Sequence, residues 1–312
     1  KTIINLGDMF DRRKYVNFNT LHFTKETWLE PLRKRNINVH CLIGNHDTYF
    51  KNTNDINSCN LLFDEYENIH VYPEPEVIEF GGVSVLFMPW MNYSECVKYL
   101  QQAKADICFG HLELSGFEQH KGHWAQQGYD KDLFKRFELV FSGHYHRKSD
   151  DGQVYYLGSP YEMTWSDYEC PKGFHVFDLD TRELTRIQNP HRIHKKIYFD
   201  DKKNNYDEHD ITQYKECYVK VIVVNKTDFY KFDKFADKLM NDSGAYEVKI
   251  IEDFSEINAE NVSDEIMENT EDTMHLVEKY IDDIDTDLDK NRLKDIMKSL
   301  YVEASDLDVG NI

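Results

Sequence analysis

The feature that most constrains this chain is a pattern that occurs four times: a short apolar run, then glycine, then a side chain able to bind a metal ion. The four occurrences are Leu6-Gly7-Asp8, Ile43-Gly44-Asn45-His46, Phe109-Gly110-His111 and Phe141-Ser142-Gly143-His144-Tyr145-His146. Runs of β-branched and aromatic residues are typical of buried strands, and glycine supplies backbone angles that bulkier residues resist. We therefore predict four strands, each ending in a tight turn that carries one or two polar side chains.

These turns are expected to meet in space although they are far apart in the sequence. In open α/β sheets, ligands bind just beyond the carboxyl ends of the strands, so residues from Asp8 to His146 can line one crevice. The turns offer one Asp, one Asn and four His. This mixture of oxygen and imidazole nitrogen suits Mn, Fe or Zn better than Ca or a structural cysteine-rich zinc site. A single Gly-His or Gly-Asp is more often an ordinary turn, but the set together predicts a two-metal site.

Two of the turns carry the most specific information. His144 and His146 stand at i and i+2 after a strand, so both can point to one side and each can reach one metal ion. Asp8 is the predicted bridging ligand, because a carboxylate can span two cations and an imidazole cannot.

The four motifs resemble, in this order, the signature of the calcineurin-type metallophosphoesterases. Two longer strings, Gly110 to Gly116 and Leu157-Gly158-Ser159-Pro160-Tyr161, resemble one branch of that family. This branch contains the SbcD, or meiotic-recombination-eleven, nuclease subunits of double-strand-break repair complexes, including their T-even phage version. The resemblance covers essentially the whole chain. It implies an α/β fold with a four-layer αββα sandwich, and a nuclease that degrades double-stranded DNA from the 3′ side and nicks single strands.

The resemblance also implies the metal ligands. Asn45, His111 and His144 would complete one metal site with Asp8, and His146 would belong to the other, with two divalent ions, most commonly Mn, as the cofactor. The family opens with an Asp-x-His strand that supplies two further ligands. Because this sequence begins inside the second strand, we expect an N-terminally incomplete copy of the nuclease.

By the same resemblance, His46 is the catalytic histidine, which stabilises charge on the phosphate or protonates the leaving oxygen. Asp11 matches a position that pairs with this histidine and fixes its tautomer. A salt bridge from Asp11 to Arg12 or Arg13 is the alternative. Both arginines are candidates for contact with DNA phosphates, although a solvated turn would explain them nearly as well.

The length of 312 residues, with 40% hydrophobic and 14% aromatic residues, predicts two folded units and an appendage. We place the nuclease domain at 1–190 and, after a break at Asn189-Pro190, a small α/β capping domain at 195–252. Two acidic helices with apolar stripes follow, and we predict a helical arm at 262–307. The second stripe includes Ile296 and Leu300.

The arm is expected to bind the coiled coil of an SbcC-type ATPase, as its counterpart does in the family, by laying its apolar stripes in a groove. The alternative is that its helices fold back on their own domain. Of the net charge of −20, residues 252–312 carry −14, so the rest of the chain is only mildly acidic. We expect weak affinity for DNA without the partner, because DNA binding draws on Lys and Arg. The family also pairs through helices of the nuclease domain, which suggests a homodimer.

No apolar run approaches the length that spans a membrane, and the six cysteines are scattered without Cys-x-x-Cys spacing. We therefore expect no membrane association and a cytoplasmic location, in the host cytoplasm if the chain is phage-encoded. Two rival functions remain open from sequence. One is a metallophosphoesterase of another branch, such as a phosphatase, and the other is a catalytically impaired scaffold that only binds the ATPase.

Overall fold

The computed structural model describes residues 2–120 and 123–251, together with 281, 290, 292–294 and 297. The described residues form two compact units. The first consists of Lys1–Tyr161 and Glu169–Pro190, and the second consists of Glu162–Tyr168 and the residues described from His191 onward.

The first unit contains two main sheets. Its strands, in chain order, are β1 (Thr2–Asn5), β2 (Asn38–Leu42), β3 (Ile69–Tyr72), β4 (Glu76–Phe80), β5 (Val83–Met88), β6 (Ile107–Gly110), β7 (Glu118–His120), β8 (His123–Trp124), β9 (Leu139–Ser142), β10 (Ser149–Asp150), β11 (Val154–Tyr156), β12 (Gly173–Phe177) and β13 (Leu184–Gln188). One sheet is parallel, in the order β1-β2-β3, and the other runs β10-β11-β9-β6-β5-β4. The pairs β7-β8 and β12-β13 are separate hairpins.

Alternation along the strands produces the layers of this unit. Successive side chains of a strand point to opposite faces of its sheet. Leu42, Phe87, Phe109 and Phe141 therefore meet in an apolar layer between the two sheets. Their sequence neighbours face outward, where helices cover them. Each such buried side chain stabilises the fold by about 1.5–3 kcal/mol.

Helices cover both outer faces. α1 (Phe18–Thr24) continues through a π-helical turn (Lys25–Leu29) into α2 (Glu30–Lys34), and it packs with α3 (Ser58–Phe63) on the three-stranded sheet. α4 (Tyr93–Gln102) and a 3-10 turn (Lys131–Phe134) cover the six-stranded sheet. Asn17 and Asn57 cap α1 and α3 by accepting backbone N–H bonds at 2.8 Å. The predicted αββα sandwich is confirmed.

A hairpin at Gly81-Gly82 joins β4 to β5. β4 and β5 pair antiparallel across it, and both glycines have positive φ, +57° and +87°, which glycine adopts without strain.

The second unit is a parallel three-stranded sheet with one covering helix. β14 (His194–Asp200), β15 (Tyr218–Asn225) and β16 (Glu247–Ile251) pair in that order, and α5 (Phe229–Asp242) connects the last two. The assignment of 195–252 as a capping domain stays a prediction. The short segment Glu162–Tyr168 is an unexpected part of this unit. It is held there because the buried Glu162 carboxylate accepts the N–H groups of Ile193 and His194 at 2.8 and 3.0 Å.

The predicted arm at 262–307 lies outside the described residues, except for residues 281, 290, 292–294 and 297, which are helical. Ile296 and Leu300 are among those not described. Within the described part of the chain, no helix is both long enough and apolar enough to cross a membrane.

Candidate metal centre

The four predicted turns converge at the carboxyl ends of β1, β2, β6 and β9. The carboxamide oxygen of Asn45 lies 2.9 Å from His111 Nε2 and 3.0 Å from His144 Nδ1. His111 Nε2 is also 3.2 Å from Asp8 Oδ2. The ligand atoms of Asp8, His111 and His144 all lie within 4.8 Å of one another. Two strand ends of each sheet thus bring an Asp, an Asn and two His from four segments to one point.

This group of side chains fits a divalent cation. His111 is 1% exposed, and its Nδ1 is 2.7 Å from the carbonyl of Leu6. Because a carbonyl only accepts, Nδ1 carries the proton, and Nε2 faces Asp8 and Asn45. A metal-binding histidine is usually oriented in this way by a bond from its other nitrogen. The donor atoms are hard oxygen and imidazole nitrogen without thiolate, which suits first-row divalent ions.

The electrostatics of the centre also favour a cation. Burial alone would raise the pKa of Asp8, but the facing His111 and its hydrogen bond hold this pKa well below its usual range. Burial opposes a charge on His111, yet Asp8 raises the pKa of this imidazole. Burial, and then the nearby His111, lower the pKa of His144 to about 3, so His144 is neutral and can act as a ligand. A divalent ion would take over the positive charge that His111 provides, and its binding would release that proton.

The glycines of the four motifs are needed for two different reasons. The predicted reason, a left-handed backbone, applies at Gly7, where φ is +96°. At Gly44 the prediction is wrong. A Cβ there would collide with Asp8 Oδ1 and lie 2.7 Å from the carboxyl carbon, so the glycine is required by close approach of two turns. The left-handed conformation falls instead on Asp8 (φ +54°) and His144 (φ +77°), the residues after two of the glycines.

Asp47 is a central residue of the site to which the sequence assigned no role. It is 1% exposed, and its carboxylate accepts the backbone N–H groups of Asp8 at 2.7 Å, Met9 at 2.9 Å, Phe10 at 3.3 Å and Gly44 at 2.9 Å. It therefore ties the turn after β1 to the turn after β2. Burial and the charge of Asp8 raise the pKa of Asp47 to about 6. It follows His46 directly in the second motif, but only the fold reveals these contacts.

His46 stands at the edge of the cluster. Its backbone N–H donates to Asp8 Oδ1 at 2.7 Å, and its ring Nδ1 lies 2.6 Å from the backbone carbonyl of Asp11. The Asp11 carboxylate does not contact this ring, and the role of Asp11 stays a prediction. That side chain is 78% exposed and lies 3.6 Å from Arg12 Nε, which is the alternative the sequence left open. Asp11 orients the histidine through its main chain, because the turn directs its side chain to solvent.

The remaining predicted residues lie around this cluster. Arg12 is 64% exposed, with its guanidinium 5.5 Å from the centre of the Tyr15 ring. Arg13 donates to the hydroxyl of Thr48 at 3.2 Å. His146 is half-buried on the same loop as His144, but it is not one of the three residues whose ligand atoms meet.

Trp90 is a second residue with a place at the site that the sequence did not assign. Its ring stacks on the His144 ring at 5.3 Å between centroids and meets the edge of the His111 ring at 6.2 Å. Trp90 follows β5, which ends at the same edge of the six-stranded sheet. The sequence could have indicated this role, because Trp90 is an aromatic residue just beyond the end of another strand.

An αββα sandwich with oxygen and imidazole donors gathered at its strand ends defines a metal-dependent phosphoesterase. Residues 1–148 match the family model of the calcineurin-like phosphoesterases. The chain belongs to this family, and the resemblance drawn from its motifs is confirmed.

Three proteins of similar sequence are named as exonuclease or nuclease subunits. Exonuclease subunit 1 of enterobacteria phage T4 is 31% identical over 310 residues, an alignment that covers 97% of this chain and 88% of the relative. Two staphylococcal relatives are the SbcD components of the nuclease SbcCD. The one from Staphylococcus saprophyticus is 21% identical and the one from Staphylococcus epidermidis 23% identical, each over 219 residues. The chain aligns with 56% of the length of each staphylococcal protein.

Proposed function

We propose that this chain is the metal-dependent DNA nuclease subunit of an SbcCD-type recombination and repair complex, acting on DNA ends as a 3′-5′ double-strand exonuclease and a single-strand endonuclease. The observation that carries the proposal is the convergence of Asp8, Asn45, His111 and His144. The relatives named as exonuclease and nuclease subunits support DNA as the substrate.

The centre would hold two divalent ions, most commonly Mn. Asp8 would bridge them, Asn45, His111 and His144 would complete one site, and His146 would serve the other. When bound, such ions would supply an activated water as the nucleophile and neutralise charge on the phosphate oxygens. The oxygen and nitrogen donors of the cluster and the neutral state of His144 support this assignment.

His46 would be the catalytic histidine. The Asp11 carbonyl can only accept, so Nδ1 of His46 carries a proton and Nε2 is directed away from this bond. In the imidazolium form, which carries a proton on both nitrogens, Nε2 would stabilise charge on the phosphate or give its proton to the leaving oxygen, and the ring would keep the Nδ1 proton on the Asp11 carbonyl. A role of this kind contributes about 10²–10⁴-fold to a rate. Arg12, which is exposed, and Arg13 would contact DNA phosphates nearby.

The protein would act with partners. The arm at 262–307, including Ile296 and Leu300, would bind an SbcC-type coiled-coil ATPase. This partner would provide the affinity for DNA that an acidic chain lacks. A second copy of the chain would pair through the nuclease domain. Phe18 on α1 is 89% exposed and Leu61 on α3 is 71% exposed. Lys25, which follows α1, forms an ion pair with Glu65, which lies just after α3.

Replacing His46 with alanine tests the proposal. The contact of His46 with Asp8 is made by the backbone, so H46A should keep the metal centre. Cleavage of linear duplex DNA in Mn²⁺ should fall at least about 100-fold, and Mn²⁺ bound per chain should stay the same. His22→Ala is the matched control, because His22 is an exposed histidine on α1 that contacts Glu26.

Three results would contradict parts of this assignment. Unchanged DNA cleavage by H46A would remove His46 from the mechanism. Hydrolysis of p-nitrophenyl phosphate without cleavage of DNA would favour a phosphatase. A wild-type chain that binds the ATPase but no Mn²⁺ would favour a scaffold.

A further inference from the structure

The string Leu157 to Tyr161 has no part in the chemistry above, yet it lies against the loop of the predicted metal ligands. The carbonyl of His146 accepts two hydrogen bonds, from the backbone N–H of Ser159 at 3.1 Å and from the Nζ of Lys172 at 2.8 Å. Two later segments of the chain thus donate hydrogen bonds to the same carbonyl oxygen, which belongs to a predicted metal ligand.

Lys172 is unusual for a lysine because it is only 1% exposed. Taking an ammonium out of water is unfavourable by several kcal/mol, so a buried lysine is kept only where its contacts offset that penalty. The backbone that carries it is also held, since the Lys172 carbonyl accepts the N–H of Asn189 at 2.9 Å. The ammonium is therefore directed to the His146 carbonyl from a fixed position just before β12.

The string needs a glycine at position 158 because its backbone is left-handed and lies close to the loop that carries His146. Its φ is +75°, and a Cβ there would lie 3.0 Å from the His146 carbonyl oxygen and 2.9 Å from the Lys148 nitrogen. Any larger residue would push against the loop that Ser159 and Lys172 hold. The glycine therefore allows the backbone at position 158 to approach the His146 carbonyl closely.

The opposite side of the loop is anchored in the core. Tyr145 is 4% exposed, donates its hydroxyl to the Leu114 carbonyl at 3.0 Å, and stacks on Tyr156 with ring centroids 4.4 Å apart. His144 has φ +77°, which is unfavourable for a residue with a Cβ and persists only where surrounding contacts hold it. With Tyr145 inserted in the core, the loop needs its second anchor at the next residue, His146.

We propose that Lys172 is a positioning residue of the metal centre: through the His146 carbonyl, it holds the loop that presents His144 and His146 to metal ions. Ser159 and Gly158 complete this support. The inference rests on the proposed role of these two histidines as ligands. Residues that orient metal ligands in this way typically change metal affinity by about 10–100-fold when replaced.

The test measures metal binding directly. Co²⁺ is titrated into the metal-free full chain, and its visible absorption reports both affinity and coordination. K172M, which keeps the apolar stem and removes the ammonium, should bind Co²⁺ about 10–100-fold more weakly and with an altered spectrum. K172R, which keeps a donor, should recover part of that loss.

Lys220→Met is the matched control. Lys220 is also buried, at 4% exposure, but it belongs to the second unit, where its ammonium lies 4.0 Å from the centre of the Trp165 ring. K220M should lose thermal stability much as K172M does and bind Co²⁺ like the wild type. An equal loss of Co²⁺ affinity in both variants would mean that burial, and not contact with the loop, causes the effect, and would overturn the inference.

His146→Ala separates this inference from the proposed function. If H146A weakens Co²⁺ binding and K172M does not, the ligand assignment stands and the role of Lys172 is refuted. If the wild type binds no Co²⁺, the metal centre itself is refuted, and the inference with it. Should K172M fail to fold, Gly158→Ala replaces it, because the added Cβ presses on the same carbonyl without changing any charge. Wild-type Co²⁺ binding by G158A would then refute the inference.

Discussion

Replacing Asp47 with asparagine should loosen the metal centre without weakening the fold. The Asp47 carboxylate accepts N–H groups through both oxygens, with Asp8 and Gly44 on one and Met9 and Phe10 on the other. An asparagine offers one acceptor oxygen, and its NH₂ group must face the other pair of donors. The turn that presents Asp8 then loses part of its support.

The effect on stability follows from the pKa of Asp47, which burial and the charge of Asp8 raise from 3.8 to about 6 despite the hydrogen bonds. At pH 7 the ionised carboxylate is therefore about 3 kcal/mol less favourable in the fold than a neutral carboxyl would be. Asparagine has no charge. The free energy of unfolding of metal-free D47N should stay level or rise by up to about 3 kcal/mol.

Two measurements on the same variant check this reasoning. Denaturant unfolding with a chelator present gives the stability, and titration with Mn²⁺ should show affinity reduced by about 10–100-fold. Asp106→Asn is the matched control, because its carboxylate accepts the Ser84 hydroxyl and N–H and its pKa is lowered by these bonds. D106N should lose stability and keep its Mn²⁺ affinity. Wild-type Mn²⁺ affinity in D47N, or a loss of several kcal/mol of stability, would refute the argument.

Two further predictions concern the core and the arm. His40 is 8% exposed between the sheets, and burial followed by the charge of His70 lowers its pKa to about 4. Below pH 6.5 the unfolded chain takes up a proton at this histidine and the folded chain does not. Stability is therefore lost as the pH falls from 6.5 to 4. In His40→Phe, the drop in unfolding free energy from pH 7 to pH 5 should be smaller by about 2 kcal/mol. An unchanged drop would show that His40 is not the acid-sensitive group. Replacing both Ile296 and Leu300 with Asp should abolish co-purification with the ATPase and leave the melting temperature unchanged. An intact complex would show that the arm is not the docking element.

Much of the sandwich could be predicted from local patterns. Strand alternation depends on neighbouring residues alone, so the runs before Gly44 and Gly110 were readable without any tertiary contact. Parallel pairing places Asp8 and Asn45 at one edge of the first sheet, and His111 and His144 at one edge of the second. The meeting of these two pairs depends on how the sheets pack. The roles of these residues, and of His46 and His146, stay predictions.

Contacts between distant segments were beyond the reach of the sequence. The contact between the Asp11 carbonyl and His46, with the Asp11 carboxylate turned towards Arg12, could not be predicted, because the direction of an exposed side chain depends on the whole turn. The need for glycine at position 44 comes from the approach of Asp8, 36 positions earlier in the chain. Such distances are set only when two turns pack.

The sequence by itself determined which atoms could bind a cation and which strand ends would present them, since both depend on residue type and short-range periodicity. Only the tertiary structure decided what holds those atoms in place. Asp47 gathers N–H groups from two turns, and Lys172 reaches the loop of His146 from 26 positions away. These supports are hydrogen bonds to main-chain atoms, which every residue carries, so no pattern of side chains marks their partners in advance.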